Sequence, residues 1–144
     1  MATSFDTIED MAIVLINDYK LAKLYEQDVQ KFQTYCDGIL LAVAPRFSEC
    51  RQALTYNLES RTFDSDLTDL EIVILSLLWR IGWWERENNN SAEIALKLKV
   101  PSSFQYNSEA NNFKEKRNVI DKLYEDLNRQ ITNYLLLDLS SYVY

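Results

Sequence analysis

Leu67-Thr68-Asp69-Leu70-Glu71-Ile72-Val73-Ile74-Leu75-Ser76-Leu77-Leu78-Trp79-Arg80-Ile81-Gly82-Trp83-Trp84 is the stretch whose reading decides the fold of this chain. Its first residues have the form of a helix start. The Thr68 hydroxyl can accept from the Glu71 amide while the Glu71 carboxylate returns a bond to the Thr68 amide. Leu67, just before this cap, is placed to pack on Ile72 as a hydrophobic staple. Beyond the cap, apolar side chains cover nearly the whole circumference. A surface helix carries one apolar stripe, so a helix apolar all round belongs inside a bundle or between subunits. The run predicts a central helix over 68–87 around which the rest of the chain gathers.

Composition agrees. The chain has 144 residues, 47% apolar and 26% charged, enough for one folded domain with a substantial core. It holds only two glycines and two prolines. Sheets joined by tight turns consume those residues, so their scarcity points to helices. The expected architecture is all-α, a bundle of four to five helices with a long C-terminal helix and an apolar C-terminal tail. Residues 1–134 are expected to form a single helical domain and residues 135–144 a docking tail.

Working outward toward the N-terminus, Ile8, Met11, Ala12, Leu15 and Ile16 repeat at helical spacing, predicting a helix from Thr7 to Asn17 capped by Thr7 with Asp10. Tyr19 to Tyr25 reads as a short connector. A second helix is expected from Glu26, with Val29, Phe32, Cys36, Ile39, Leu40 and Val43 on one side. Pro45 removes an amide donor and crowds the preceding turn. Apolar spacing resumes at Phe47, Cys50, Ala53 and Leu54, which predicts a kinked helix reaching Asn57. Glu59 to Asp66 is expected to be a polar loop.

Toward the C-terminus, Asn88-Asn89-Asn90-Ser91 is expected to close the central helix and open a short one, with Asn90 as cap. That helix should run to Lys99 and stop at Val100-Pro101-Ser102-Ser103, and Phe104 to Asn107 should form a loop. Ser108 is the expected cap of the long last helix. There Phe113, Ile120, Leu127 and Tyr134 recur every seven residues, and Leu123, Tyr124, Ile131 and Leu135 fill the interleaved positions. Lys114, Glu115, Lys116, Arg117, Asp121, Lys122, Glu125, Asp126 and Arg129 give its other faces mixed charge. That mixture is a solvated surface and not a basic stripe for nucleic acid. The terminal run Leu135-Leu136-Leu137-Asp138-Leu139-Ser140-Ser141-Tyr142-Val143-Tyr144 has two readings: it tucks onto its own core, or it docks on a neighbouring subunit.

The chemistry a catalyst needs is sparse. There is no histidine, so the usual general base and the commonest metal ligand are both missing. Gly38 and Gly82 stand alone, so no glycine-rich phosphate loop forms. Cys36 and Cys50, fourteen residues apart, match no zinc or redox motif and read as free thiols. Asp64, Asp66, Asp69 and Glu71 flank the start of the central helix. They complement the positive end of its dipole, or else they gather around a hard cation. No catalytic, cofactor-binding or metal residue is assigned, and the chain is expected not to be an enzyme. The N-terminus lacks a basic region followed by an apolar core, and Ser76, Arg80 and Gly82 interrupt the central helix. Neither a secretory signal nor a membrane span is therefore expected.

The candidate functional residues are apolar. Trp79, Trp83 and Trp84 are the only tryptophans and lie largely on one helix side, as core packing or as an interface anchor. Leu137, Leu139, Tyr142, Val143 and Tyr144 of the tail complete the expected interface. The net charge of −7 argues against reliance on broad phosphate contacts.

A resemblance gives these residues a context. Phe47 to Leu54, followed by Phe63-Asp64-Ser65-Asp66-Leu67-Thr68-Asp69-Leu70-Glu71-Ile72-Val73-Ile74-Leu75, resembles small neck proteins of tailed bacteriophages. Those proteins carry an "F-x-x-x-L-T-D-x-E-I-x-I-L-A" signature ahead of a helix ending in tryptophan and leucine. Phe104-Gln105-Tyr106-Asn107-Ser108-Glu109-Ala110-Asn111-Asn112-Phe113-Lys114-Glu115 is similar to their "F-x-x-Y-S-x-A-N-H-L-K-E" segment, with Asn112 where histidine is common. The similarity runs from about residue 26 to residue 134. It implies a non-enzymatic head–tail connector or adaptor of the virion neck, made in the host cytoplasm. The implied partners are its own copies in a cyclic ring, the portal protein, a downstream neck or tail protein, and genomic DNA passing through the lumen without specific binding. Head-closure (stopper) and tail-completion roles fit the same resemblance. A cytosolic helical regulatory module that binds a partner helix or a host protein through the tryptophan end is the alternative from another class.

Overall fold

The computed structural model describes the backbone of residues 2–16, 18–97 and 103–140 and the side chains of residues 2–16, 18–89 and 114–137. Five α-helices dominate them: α1 (Phe5–Ile16), α2 (Tyr19–Gln27), α3 (Val29–Val43), α4 (Asp69–Lys97) and α5 (Ser103–Ser140). Three two-residue strands, β1 (Thr3–Ser4), β2 (Tyr56–Asn57) and β3 (Thr62–Phe63), form an antiparallel sheet in the order β1-β3-β2. The architecture is an all-α bundle with a long last helix. At 1.5 Å per residue α5 is ~57 Å long.

The central helix begins as its residues require. The Thr68 amide donates to Glu71 Oε1 at 2.8 Å, the Glu71 amide donates to Thr68 Oγ1 at 3.3 Å, and Leu67 is buried beside them. This reciprocal cap satisfies two amides that a helix start otherwise leaves open. Along α4, Ile74, Leu75, Trp79 and Ile81 are fully buried, and Leu77, Leu78 and Trp83 nearly so. Such burial needs partners on several sides. They are α5, packed most extensively, and α1 and α3. α5 runs antiparallel to α4, joined to it by Tyr134 at Glu71 and by Tyr124 at Glu85. It buries Ile120, Leu123, Leu127 and Tyr134, with Ile131 partly buried, so its seven-residue seam is the face turned to the core. Tyr124 and Leu135 flank that seam, partly exposed.

Other boundaries depart from the sequence pattern. α1 starts at Phe5, and Thr7 lies inside it. The chain before it is held in the sheet, where Thr3 pairs with Phe63, and Ser4 Oγ accepts from the Asp6 amide at 3.2 Å. Tyr19 to Tyr25 is helical and not a connector, because Asp18 caps α2 by accepting from the Leu21 amide. Asp28 then caps α3 by accepting from the Gln30 and Lys31 amides, so that helix starts at Val29 and not at Glu26. No kinked helix reaches Asn57. α3 tightens into a 3₁₀ turn over Ala44–Arg46 at Pro45, and residues 47–55 run without helix into β2. The expected loop over 59–66 contains β3.

α4 also passes straight through Asn88-Asn89-Asn90-Ser91 to Lys97, with the Asn88 side chain buried, so no separate short helix is capped there. Packing overrides the local preference of asparagine for caps. The expected loop over Phe104 to Asn107 is helix, so Ser108 lies inside α5 and does not begin it. The expected helix stop at Lys99-Val100-Pro101-Ser102 falls outside the described residues.

Gly82 matters to this packing. A Cβ there would sit 2.6 Å from Val43 Cγ1, so α3 and α4 approach too closely for any larger residue without a shift.

Candidate assembly surface

The two groups of expected interface residues meet different fates. Trp79 is fully buried, and its indole N–H donates to the Cys36 carbonyl at 3.0 Å across the α3–α4 contact. Trp83 is buried as well, its ring 5.0 Å edge-on from that of Trp84. Both fill the subunit's own core, because an indole at the centre of a bundle buries more area there than at a rim. Only Trp84, partly exposed, offers surface to a neighbour from this group.

At the other end, α5 continues as helix through Ser140, so residues 135–140 extend the helix. Leu135, Leu136 and Leu137 are each about half exposed, at 47%, 52% and 56%. Three consecutive leucines point in successive directions around a helix, so one core face cannot cover them all. The Leu139 side chain, and Tyr142, Val143 and Tyr144 altogether, lie outside the described residues.

What holds this end in place is a site the sequence reading did not find. Glu71 is 1% exposed and its carboxylate receives four donors. Oε1 accepts from the Thr68 amide at 2.8 Å and from Gln52 Nε2 at 2.6 Å. Oε2 accepts from the Tyr134 hydroxyl at 2.8 Å and from Cys50 Sγ at 3.3 Å. The Tyr134 oxygen in turn accepts from the Arg51 amide at 2.9 Å. The Arg51 guanidinium lies 4.5 Å over the Tyr134 ring and donates to the Tyr134 carbonyl at 2.7 Å. Burial favours the neutral Glu71 carboxyl, but the bonds from Thr68, Tyr134, Gln52 and Cys50 outweigh it and hold the group below the usual carboxylate range. Glu71 therefore ties the first turn of α4, the segment after α3 and the end of α5 together. It is fully engaged, and Asp64, Asp66 and Asp69 stay exposed around it. Among the described residues no group of three acidic or sulfur ligands is arranged to hold a metal ion. Nor is any described helix long and apolar enough to cross a membrane.

A second polar cluster fastens α1 and α3 to the β2–β3 turn. Arg61 adopts φ 54°, a left-handed conformation costing about 1 kcal/mol for a residue with a Cβ. Its carbonyl accepts from the Phe5 amide at 2.9 Å. Its guanidinium grips both Asp37 oxygens at 2.8 and 2.9 Å, Asp6 at 2.8 Å and Glu9 at 3.4 Å. Burial, a hydrogen bond to Asp37 and the charge of Asp37 push Glu9 up to about 9. Glu9 thus holds its proton above the usual carboxylate range, although the Arg61 guanidinium 3.4 Å away pulls the other way. The Arg61 and Glu9 bonds outweigh burial at Asp37 and hold it low. These residues come from α1, α3 and the β2–β3 turn, which no local motif links.

Cys36 is packed as a small apolar side chain, whereas the partly buried Cys50 donates to Glu71. Burial pushes Cys36 up to about 12, and burial with the Glu71 contact pushes Cys50 up to about 11. Neither forms a thiolate at neutral pH.

No protein-family model, curated protein or solved structure matches this chain.

Proposed function

We propose that this protein is a non-enzymatic structural component of a tailed-phage neck, a connector or adaptor whose copies form a ring between portal and tail. The observation that carries the proposal is the end of α5. Tyr134 is pinned to Glu71, and the leucines that follow at once are left half exposed. An anchored helix end that presents apolar side chains suits contact with a sibling subunit, the heterologous kind that closes a cyclic ring. The "L-T-D-x-E-I" signature that links the chain to neck proteins contains Glu71 itself, the residue that does the anchoring. The other support is chemical. Glu9, whose proton is held up to about 9, is 3% exposed, burial pushes both thiols up, and the sequence has no histidine. A net charge of −7 suits a lumen along which DNA slides without being gripped. A ring structure with a strongly positive lumen would contradict that last point.

Deletion of Leu139 to Tyr144 tests the assembly role. The truncated subunit should fold, as judged by an unchanged circular dichroism spectrum, and should be missing from particles examined by mass spectrometry. Normal tail joining with the truncated protein refutes the proposal. So does absence of the full-length protein from purified virions, which would favour a cytosolic partner-binding module. Particle-averaged images of the neck, by showing its level and copy number, separate an adaptor from a stopper or tail-completion protein.

A further inference from the structure

We propose that the groove between α1 and α2, floored by α3, is a docking site for a cationic amphipathic helix of a partner protein. The groove measures about 620 Å³, a volume typical of binding sites. Leu21 and Phe32 lie at its base, and Val14 and Tyr25 form its sides. These sides are unusually open for apolar residues in a small bundle, with Val14 76% and Tyr25 54% exposed. Tyr25 is held edge-on against Phe32 with ring centroids 5.3 Å apart, so the wall is preformed. Exposed Ala22, with no side chain beyond Cβ, also lines the groove.

Charge selects the occupant. The titratable residues lining this groove are Tyr25 and three acids, Asp10, Asp18 and Glu26, with no Lys or Arg among them. The two lysines of α2, Lys20 and Lys23, line a separate cleft on the other side of the helix, where Lys20 pairs with Glu87 at 3.4 Å. Within α2, Glu26 thus faces the groove while Lys20 and Lys23 face the other cleft, and Asp18 stands at the edge of both. An apolar trough with an acidic rim matches a helix whose leucine-like residues at i, i+3, i+4 and i+7 are flanked by Lys or Arg. The same rim repels an anionic bilayer. It also disfavours this chain's own terminal stretch, Leu135 to Tyr144, which contains Asp138 and no base. The surface is separate from the α5 end and does not rest on the neck assignment.

The full chain, isotope-labelled, is titrated with two helical peptides that carry the same leucine face, one flanked by Lys and one by Glu. The Lys peptide should shift the amides of residues 10–32 and bind at least about ten-fold more tightly than its Glu twin. Raising salt from about 0.05 to about 0.5 M should weaken it. The double variant Asp10→Lys/Glu26→Lys alters two exposed positions and should reverse the preference. Val14→Asp, at the open wall, should abolish binding of both peptides with the melting temperature unchanged. Four outcomes would overturn the proposal: equal affinity for the two peptides, an unreversed preference in the double variant, shifts centred on residues 135–137, or peptide-free dimerisation through residues 10–32. Binding of anionic vesicles through these residues would overturn it too.

Discussion

Replacing Tyr134 with Phe removes one oxygen from a buried junction and keeps everything else. The Phe ring still packs edge-on against Phe47, whose centroid is 5.3 Å away, and Arg51 can still lie over it. What is lost is the bond from the hydroxyl to Glu71 at 2.8 Å and the acceptor for the Arg51 amide at 2.9 Å. A hydrogen bond to a charged group contributes about 1.5–3 kcal/mol, and a partly exposed amide recovers most of its loss from water. The expected cost at pH 7 is about 2–3 kcal/mol, a fall in melting temperature of roughly 6–12 °C for a domain of this size. The pH dependence gives the sharper test. Glu71 is held below the usual carboxylate range, so the stability it contributes is fully present above that range and disappears as pH falls through its folded value. The gap between wild type and Tyr134→Phe should therefore narrow from pH 7 to pH 3, as measured by urea unfolding at each pH. A cost below about 0.5 kcal/mol, or one that stays constant across that interval, would show that the hydroxyl does not serve the carboxylate.

Glu9→Gln should make the protein more stable at pH 8. Wild-type Glu9 keeps its proton to about 9 when folded and releases it in the ordinary carboxylate range when unfolded, so wild-type stability declines as pH rises between the two. The variant's advantage should grow from pH 5 to pH 9 in urea titrations and vanish below pH 4. Gly82→Ala should cost about 1–3 kcal/mol through the Val43 clash, less about 1 kcal/mol of helix propensity gained, with Val43→Ala relieving it in the double variant. A thiol reagent at pH 8 should label neither Cys36 nor Cys50 until denaturant is added, and fast labelling of Cys36 would contradict its burial.

The parts of this fold that were legible in the sequence are those in which cause and effect lie within one or two helical turns. Thr68 and Glu71 are three residues apart, so their reciprocal cap could be read directly. The inward face of α5 could be read in the same way from Ile120, Leu127 and Tyr134. Asp18 and Asp28 were equally local signals, each an acid just ahead of apolar periodicity, and reading them as caps would have placed α2 and α3. Other features depend on distant partners. Phe47, Cys50 and Leu54 have helical spacing yet turn inward from a non-helical segment, because Gln52 and Cys50 bond to Glu71, about twenty residues further on. Arg61 draws in carboxyl groups from 24 to 55 positions away, a constellation that spacing alone cannot reveal. The burial of Trp79 and Trp83 followed from the all-round apolar character of α4. Only the number of helices around it decided whether the indoles faced the core or a neighbour.

The junction at Glu71 has a consequence for how α5 can be shifted along α4. Two long antiparallel helices joined by an apolar seam can slide by a turn at modest cost, since leucine against leucine looks much the same one step over. Here a slip of one turn would bring either Ile131 or Asp138 opposite the buried carboxylate. One offers no proton and the other offers a second negative charge. Tyr134 thus works as an indexing pin that admits a single setting of the helix pair. Whatever the final residues of the chain touch, they start from a fixed point and not from a sliding one.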